Sequence, residues 1–106
     1  MIERMVESQF QDTIVQMAGL LGWMVFHDND SRRNVAGFPD LVMVHPDRGV
    51  VWMECKTLAG RVRPEQRVWI DSLVAAGQRA YIVRPNDMDA IESLLRGEIE
   101  QLEGAA

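Results

Sequence analysis

The chain has 106 residues, 47% of them hydrophobic and 25% charged, with a formal net charge of −5 and a single cysteine, Cys55. That length is one domain, residues 1–106, and the composition excludes disordered, collagen-like and disulfide-framework chains. No apolar run nears the roughly 18 residues of a membrane span and no signal-like core opens the chain, so a cytoplasmic protein with no membrane partner is expected.

Ile2, Val6, Phe10, Ile14, Met17 and Leu21 recur at helical spacing up to Gly22, which predicts a first amphipathic helix. Trp23 to His27 is a short apolar run that reads as a strand. Asp28 to Pro39 has no periodicity and reads as a loop, of a length that is usually functional. Leu41 to Val44 and Val50 to Lys56 are β-rich runs around the turn residues His45 to Gly49, predicting a hairpin. After a polar connector, Pro64 opens a helix with Trp69, Ile70, Leu73 and Val74 on one face and Gly77 as its stop. Ala80 to Arg84 is a fourth strand, and a last helix runs from Met88 through Ile91, Leu94, Leu95 and Ile99 to Leu102. Both faces of the hairpin strands are apolar, which predicts helices on both sides and a three-layer α/β/α sandwich.

The informative residues are polar ones inside apolar elements. Strand alternation puts Glu54 and Lys56 on one face with Trp52. By itself that is as consistent with an ion pair at a frayed strand end as with chemistry. If the hairpin sets Asp40 opposite Glu54, Val42 faces Trp52, Val44 faces Val50, and two carboxylates lie a few ångströms apart. Such a pair repels unless a cation sits between its members, and Mg²⁺ takes this kind of oxygen set. Glu7 follows the apolar stripe of the first helix, and Gln66 lies on the inner face of the second; each is also explained as a helix-edge or structural polar group. His27, His45 and Cys55 have no metal-ligand spacing and read as structural. The only lysine, in a chain otherwise using arginine, is Lys56.

Gly37-Phe38-Pro39-Asp40-Leu41, then Glu54-Cys55-Lys56, then Gly60 to Gln66 opening a helix, resembles the PD-(D/E)XK nuclease superfamily, and within it the virus-type replication-repair nuclease domain, VRR-NUC. The resemblance runs from about Glu7 to Arg84. It implies a restriction-endonuclease-like αβββαβ core followed by a C-terminal helix, and the stand-alone form found in phages and bacteria, so a location in a bacterial cell or phage-infected host and work in DNA repair. It also implies that Asp40, Glu54 and the Cys55 backbone carbonyl hold Mg²⁺, for which Mn²⁺ substitutes, with Glu7 as a further candidate ligand. Lys56 would orient or activate water, with Glu7 and Gln66 beside it. The expected activity is structure-selective cleavage of branched DNA by a homodimer, like a Holliday-junction resolvase. The alternatives are a silent DNA-binding or interaction module on the same fold, in which no metal binds, and a scaffold protein with dispersed carboxylates.

The net charge divides by region into −4 over residues 1–30, +4 over 31–85 and −5 over 86–106. Arg32, Arg33, Arg61, Arg63 and Arg67 are the candidate DNA contacts, and one basic, metal-bearing face between acidic flanks is expected.

Overall fold

A computed structural model describes residues 5–27 and 35–103. Helix α1 spans Glu7–Leu20, strand β1 Met24–His27, β2 Leu41–His45, β3 Gly49–Cys55, helix α2 Pro64–Ala75, β4 Arg79–Val83 and helix α3 Met88–Leu95, the last preceded by a 3₁₀ turn at Pro85–Asp87. The sheet runs β1-β2-β3-β4, antiparallel for the first two pairings and parallel between β3 and β4, with α2 as the crossover.

Side-chain alternation then separates two cores. Leu41, Met43, Val51, Met53, Cys55, Tyr81 and Val83 lie under α1 and α3, packed on Phe10, Ile14, Ala18, Ile91, Leu94 and Leu95. Ala80 and Ile82 meet Ile70 of α2 on the other face, with Trp52, Val62 and Leu73 at its margin. Helices therefore cover both faces in three layers, each fully buried large side chain contributing about 1.5–3 kcal/mol of transfer free energy.

The register is the one that matters for chemistry. Leu41 pairs Met53, Val42 pairs Trp52 and Val44 pairs Val50, so one step further on Asp40 lies opposite Glu54. The turn is shorter than the expected five residues, because His45 still pairs Gly49 and only Pro46 to Arg48 remain outside the ladder.

Two boundaries and one packing face differ from the sequence pattern. The first helix begins at Glu7: Val6 is its N-cap and its N–H is taken by Gln9 Oε1 at 3.3 Å, while Ile2 lies outside the described residues. The last helix stops at Leu95 rather than Leu102. Gly97 takes φ +78°, its N–H reaches Leu94 O at 3.0 Å and the Glu98 N–H reaches Ser93 O at 2.9 Å, which closes the helix in a Schellman motif. The freed Leu95 carbonyl accepts from Trp23 Nε1 at 3.0 Å and Arg48 Nη1 at 2.9 Å, and Leu102 still reaches the core from an irregular segment. In α2, Val74 is exposed instead of packed, because the helix crosses only the β3–β4 side of the sheet. The same narrow cover leaves Met24, 69% exposed, and Phe26, 55% exposed, on an open apolar surface shared with Val42, Val44 and Val50.

Candidate active site

The strand ends at the Cys55 side of the sheet carry the polar cluster. Glu7 opens α1, Asp40 precedes β2, Glu54 is the last residue but one of β3 and Lys56 follows the strand, its N–H continuing the ladder to Val83 O at 2.9 Å. Glu7, Asp40, Glu54, Lys56, Arg63 and Gln66 line one cavity of about 270 Å³, whose remaining wall is Val35 to Phe38 and Glu65.

Each group is held by something identifiable. Asp40 Oδ2 accepts the Cys55 backbone N–H at 2.8 Å, so the residue that follows Glu54 anchors the other carboxylate. Gln66 serves two partners: its Oε1 accepts the Arg63 N–H at 2.9 Å as the cap of α2, which leaves its Nε2 to donate to Glu54 Oε2 at 2.9 Å. Lys56 Nζ stands 3.7 Å from the same Oε2, and both side chains are almost wholly buried, Glu54 at 2% exposure and Lys56 at 8%. Gly37, at φ +83°, lies so close to α2 that a Cβ there would fall 2.5 Å from the Glu65 carbonyl. That contact seats the Val35-to-Asp40 segment on the helix bearing Gln66.

Four acidic residues, Glu7, Asp40, Glu54 and Glu65, against Lys56 and Arg63 leave the cavity short of positive charge. Burial pushes the Glu54 carboxyl up to about 8, with the neighbouring Asp40 adding to the effect and Lys56 opposing it. Burial also raises Asp40, though the Cys55 N–H bond pulls the other way, and it raises Glu7. Glu54 Oε1 is buried with no hydrogen-bond partner. An oxygen of this kind is satisfied by a proton or by a cation. The hard oxygen donors fit Mg²⁺, with Asp40 and Glu54 as the side chains that would hold it. Among the described residues no group of three or more His, Cys, Asp or Glu side chains is placed to hold a metal ion. Glu7 thus lines the cavity without completing a three-carboxylate ligand set.

The sequence matches the VRR-NUC domain over residues 3–87. The chain belongs to the VRR-NUC family of nucleases. A solved VRR-NUC domain superposes on it with a TM-score of 0.68 at 20% identity, covering 88% of this chain and 97% of that one. Hjc, a Holliday junction resolvase from the archaeal hyperthermophile Archaeoglobus fulgidus, superposes with a TM-score of 0.51 at 17% identity, covering 70% of this chain and 62% of its own. No curated protein matches the chain.

Of the residues expected in this VRR-NUC site, Glu7, Asp40, Glu54, Lys56 and Gln66 come together. Cys55 turns its thiol into the core, where burial pushes it up, as alternation implies. His27 is bonded to Gln11 at 2.6 Å, and the His45 ring lies tilted against Trp23, centroids 5.3 Å apart. The arginines do not share one face. Arg63 lines the cavity, while Arg67 stands 3.7 Å from Asp71 on the same helix. Arg84 donates to the carbonyls of Thr57, Leu58 and Gly60. Arg48 and Arg79 sit at the opposite end of the strands, Arg48 on Leu95 O and Arg79 on the carbonyls of Glu100 and Arg48. Arg32 and Arg33 lie outside the described residues.

Sequence reasoning missed one feature beside the carboxylates. Phe38 packs edge-on against Trp52, ring centroids 6.1 Å apart, and against Trp69 at 5.1 Å. The signal was present as parity: Phe38 precedes Asp40 by two residues and Trp52 precedes Glu54 by two, so strand spacing puts both aromatics on the carboxylate face.

Proposed function

We propose that this VRR-NUC protein is a metal-dependent, structure-selective DNA endonuclease, with Mg²⁺ as its ion and Mn²⁺ able to replace it, acting on branched DNA as a homodimer of the Holliday-junction-resolvase kind. The observation that carries this reading is Glu54 Oε1, a buried and unpartnered carboxylate oxygen beside Asp40 and a buried lysine. A silent binding module would bear the cost of burying an unpartnered acid beside a second carboxylate with no return.

Asp40 and Glu54 would hold the ion, with the Cys55 carbonyl and waters completing its shell. When bound, Mg²⁺ supplies a water of lowered pKa and neutralises phosphate charge. The protein's own groups orient and stabilise. The Cys55 N–H fixes Asp40, and Gln66, itself fixed by the cap of α2, fixes Glu54. Lys56 places a positive charge beside the phosphate oxygens, where negative charge grows as one P–O bond forms to water and the P–O bond to the leaving sugar oxygen breaks. That oxygen leaves as a hydroxyl after taking up a proton. Arg61, Arg63 and Arg67, with Arg32 and Arg33, supply phosphate contacts along the strand.

Cleavage of a junction, a flap, a plain duplex and a single strand, each in Mg²⁺ and in EDTA, tests this directly. Branched substrates should be cut at least tenfold faster than duplex, and EDTA should stop all cutting; binding of the whole set without cleavage would leave the silent module as the function.

Cutting two strands of a junction needs two sites at fixed separation, which a two-fold dimer provides. Met24, Phe26, Val42, Val44 and Val50 make the apolar surface that a second copy would cover. Phe26→Asp is expected to convert a dimer into a folded monomer at micromolar concentration, read by light scattering, and to slow paired cutting of a junction. A wild-type monomer under the same conditions would remove dimerisation from the reading.

A further inference from the structure

The cavity that holds the carboxylates has three kinds of wall. Asp40, Glu54 and Glu7 offer oxygen, Lys56 and Arg63 offer positive charge, and Val35, Ala36 and Phe38 offer apolar surface. Val35 is largely exposed although apolar, and Phe38 is only partly buried in spite of its two tryptophan neighbours. An acidic site for an ion and a basic site for a phosphate account for the first two walls. Nothing in the chemistry of phosphate hydrolysis accounts for the third.

We infer that the Val35–Phe38 wall receives the face of an unpaired nucleobase adjacent to the phosphate being cut, so that Phe38 sets the preference for branched over fully paired DNA. This rests on the nuclease reading above and adds its specificity residue. A nucleotide has three parts: phosphate and sugar are polar, and the base alone presents a flat apolar face. In a continuous duplex both faces of every base are already stacked, so the wall gains nothing from it. At a branch point a base unstacks at low cost, and an aromatic side chain rewards it whatever its identity. The volume of about 270 Å³ suits one nucleotide-sized group. The setting of Phe38 also suits the task, because Trp52 and Trp69 brace it edge-on and Gly37 locks its backbone to α2. Trp52 is itself fixed through Nε1 to Gln78 Oε1 at 3.1 Å. A base therefore meets a braced ring rather than a mobile one, with little ordering to be done on binding.

The test uses the whole protein and branched DNA in two forms, one with a normal unpaired base next to the cut position, mapped from product length, and one with an abasic residue there. Binding in EDTA is measured for the wild type and for Phe38→Leu, which keeps apolar volume between the two tryptophans while removing the aromatic face. The wild type should bind the base-containing form about tenfold more tightly, and Phe38→Leu should lose that preference while binding the abasic form as the wild type does. A second measurement needs no variant: 2-aminopurine at the same position should lose fluorescence on binding wild-type protein as it stacks. Equal binding of both forms by the wild type, a preference that survives in Phe38→Leu, or unquenched 2-aminopurine would each overturn the assignment. Because binding and fluorescence are read in EDTA, with cleavage used only to map the position, the two failures are distinguishable: no product from any branched DNA overturns the nuclease reading, and base-independent binding beside a mapped cut overturns the role of Phe38.

Discussion

Asp40→Asn and Lys56→Ala should each lower cleavage of branched DNA by about a thousandfold or more, with affinity measured in EDTA changed by less than about fivefold. The two substitutions act on different parts of the same event. Asn at position 40 keeps an oxygen for the Cys55 N–H, so the loop geometry survives, but it removes the charge that would hold the ion. Ala at position 56 removes the cation buried against Glu54, 3.7 Å from its Oε2. Folding should tolerate that loss, because Glu54 already holds its proton up to about pH 8 and would simply hold it further. DNA affinity should survive because, in the proposed reading, the arginines rather than Lys56 supply most of the phosphate contacts. Lys56→Arg should not rescue: a planar fork is too large for a position that is 8% exposed. Single-turnover rates with fluorescence anisotropy for binding decide the matter, and a loss below tenfold in either variant would take that residue out of the reaction.

How much of this was legible beforehand depends on the range of the interaction involved. The hairpin register was legible in part: period-two alternation excludes a one-residue slip, which would turn Leu41, Met43, Val51 and Met53 away from one another, and the short turn between the strands then selects the pairing that places Asp40 against Glu54. Gln66 was visible as an inner-face residue, but its double role was not: the cap on Arg63 is local, whereas the bond to Glu54 depends on where α2 lands. The end of α3 was misjudged because Leu102 keeps the helical apolar rhythm beyond Gly97, and it reaches the core from a segment that is no longer helical. The single basic face failed for a reason outside any spacing rule. Arg48, Arg79 and Arg84 find carbonyls on segments remote in sequence, so positive charge counted along residues 31–85 is spread over two ends of the molecule. The open half of the sheet was hidden too, since apolar strands announce that they need cover without saying whether a helix of the same chain is wide enough to provide it.

Metal-free protein should lose stability as pH rises from about 4.5 to about 8, and Glu54→Gln should abolish most of that loss. The sign follows from linkage. Below the ordinary carboxylate range Glu54 is protonated whether the chain is folded or not, and pH has no effect. Between the two values the unfolded chain releases the proton while the folded chain keeps it, so raising the pH favours unfolding; above about 8 the cost is complete and constant. Asp40, also raised by burial, acts in the same direction. Relaxation around the ionised carboxylate limits the effect to on the order of 3 kcal/mol, or a melting temperature lower by on the order of 10 °C at pH 8.5 than at pH 5. Glutamine at position 54 can still accept from Gln66 and carries no charge, so the variant should melt higher than the wild type at pH 8.5 and show a nearly flat profile, while losing cleavage altogether. Mg²⁺ should raise the wild-type melting temperature, and do so more at pH 8.5 than at pH 5, because at low pH the ion must displace a proton from Glu54. It should leave Glu54→Gln unmoved. Calorimetry of both proteins across that range, with EDTA and with Mg²⁺, separates the possibilities: a wild-type profile as flat as the variant's would mean that Glu54 is not the buried acid of this site, and an equal Mg²⁺ shift in both would place the ion elsewhere.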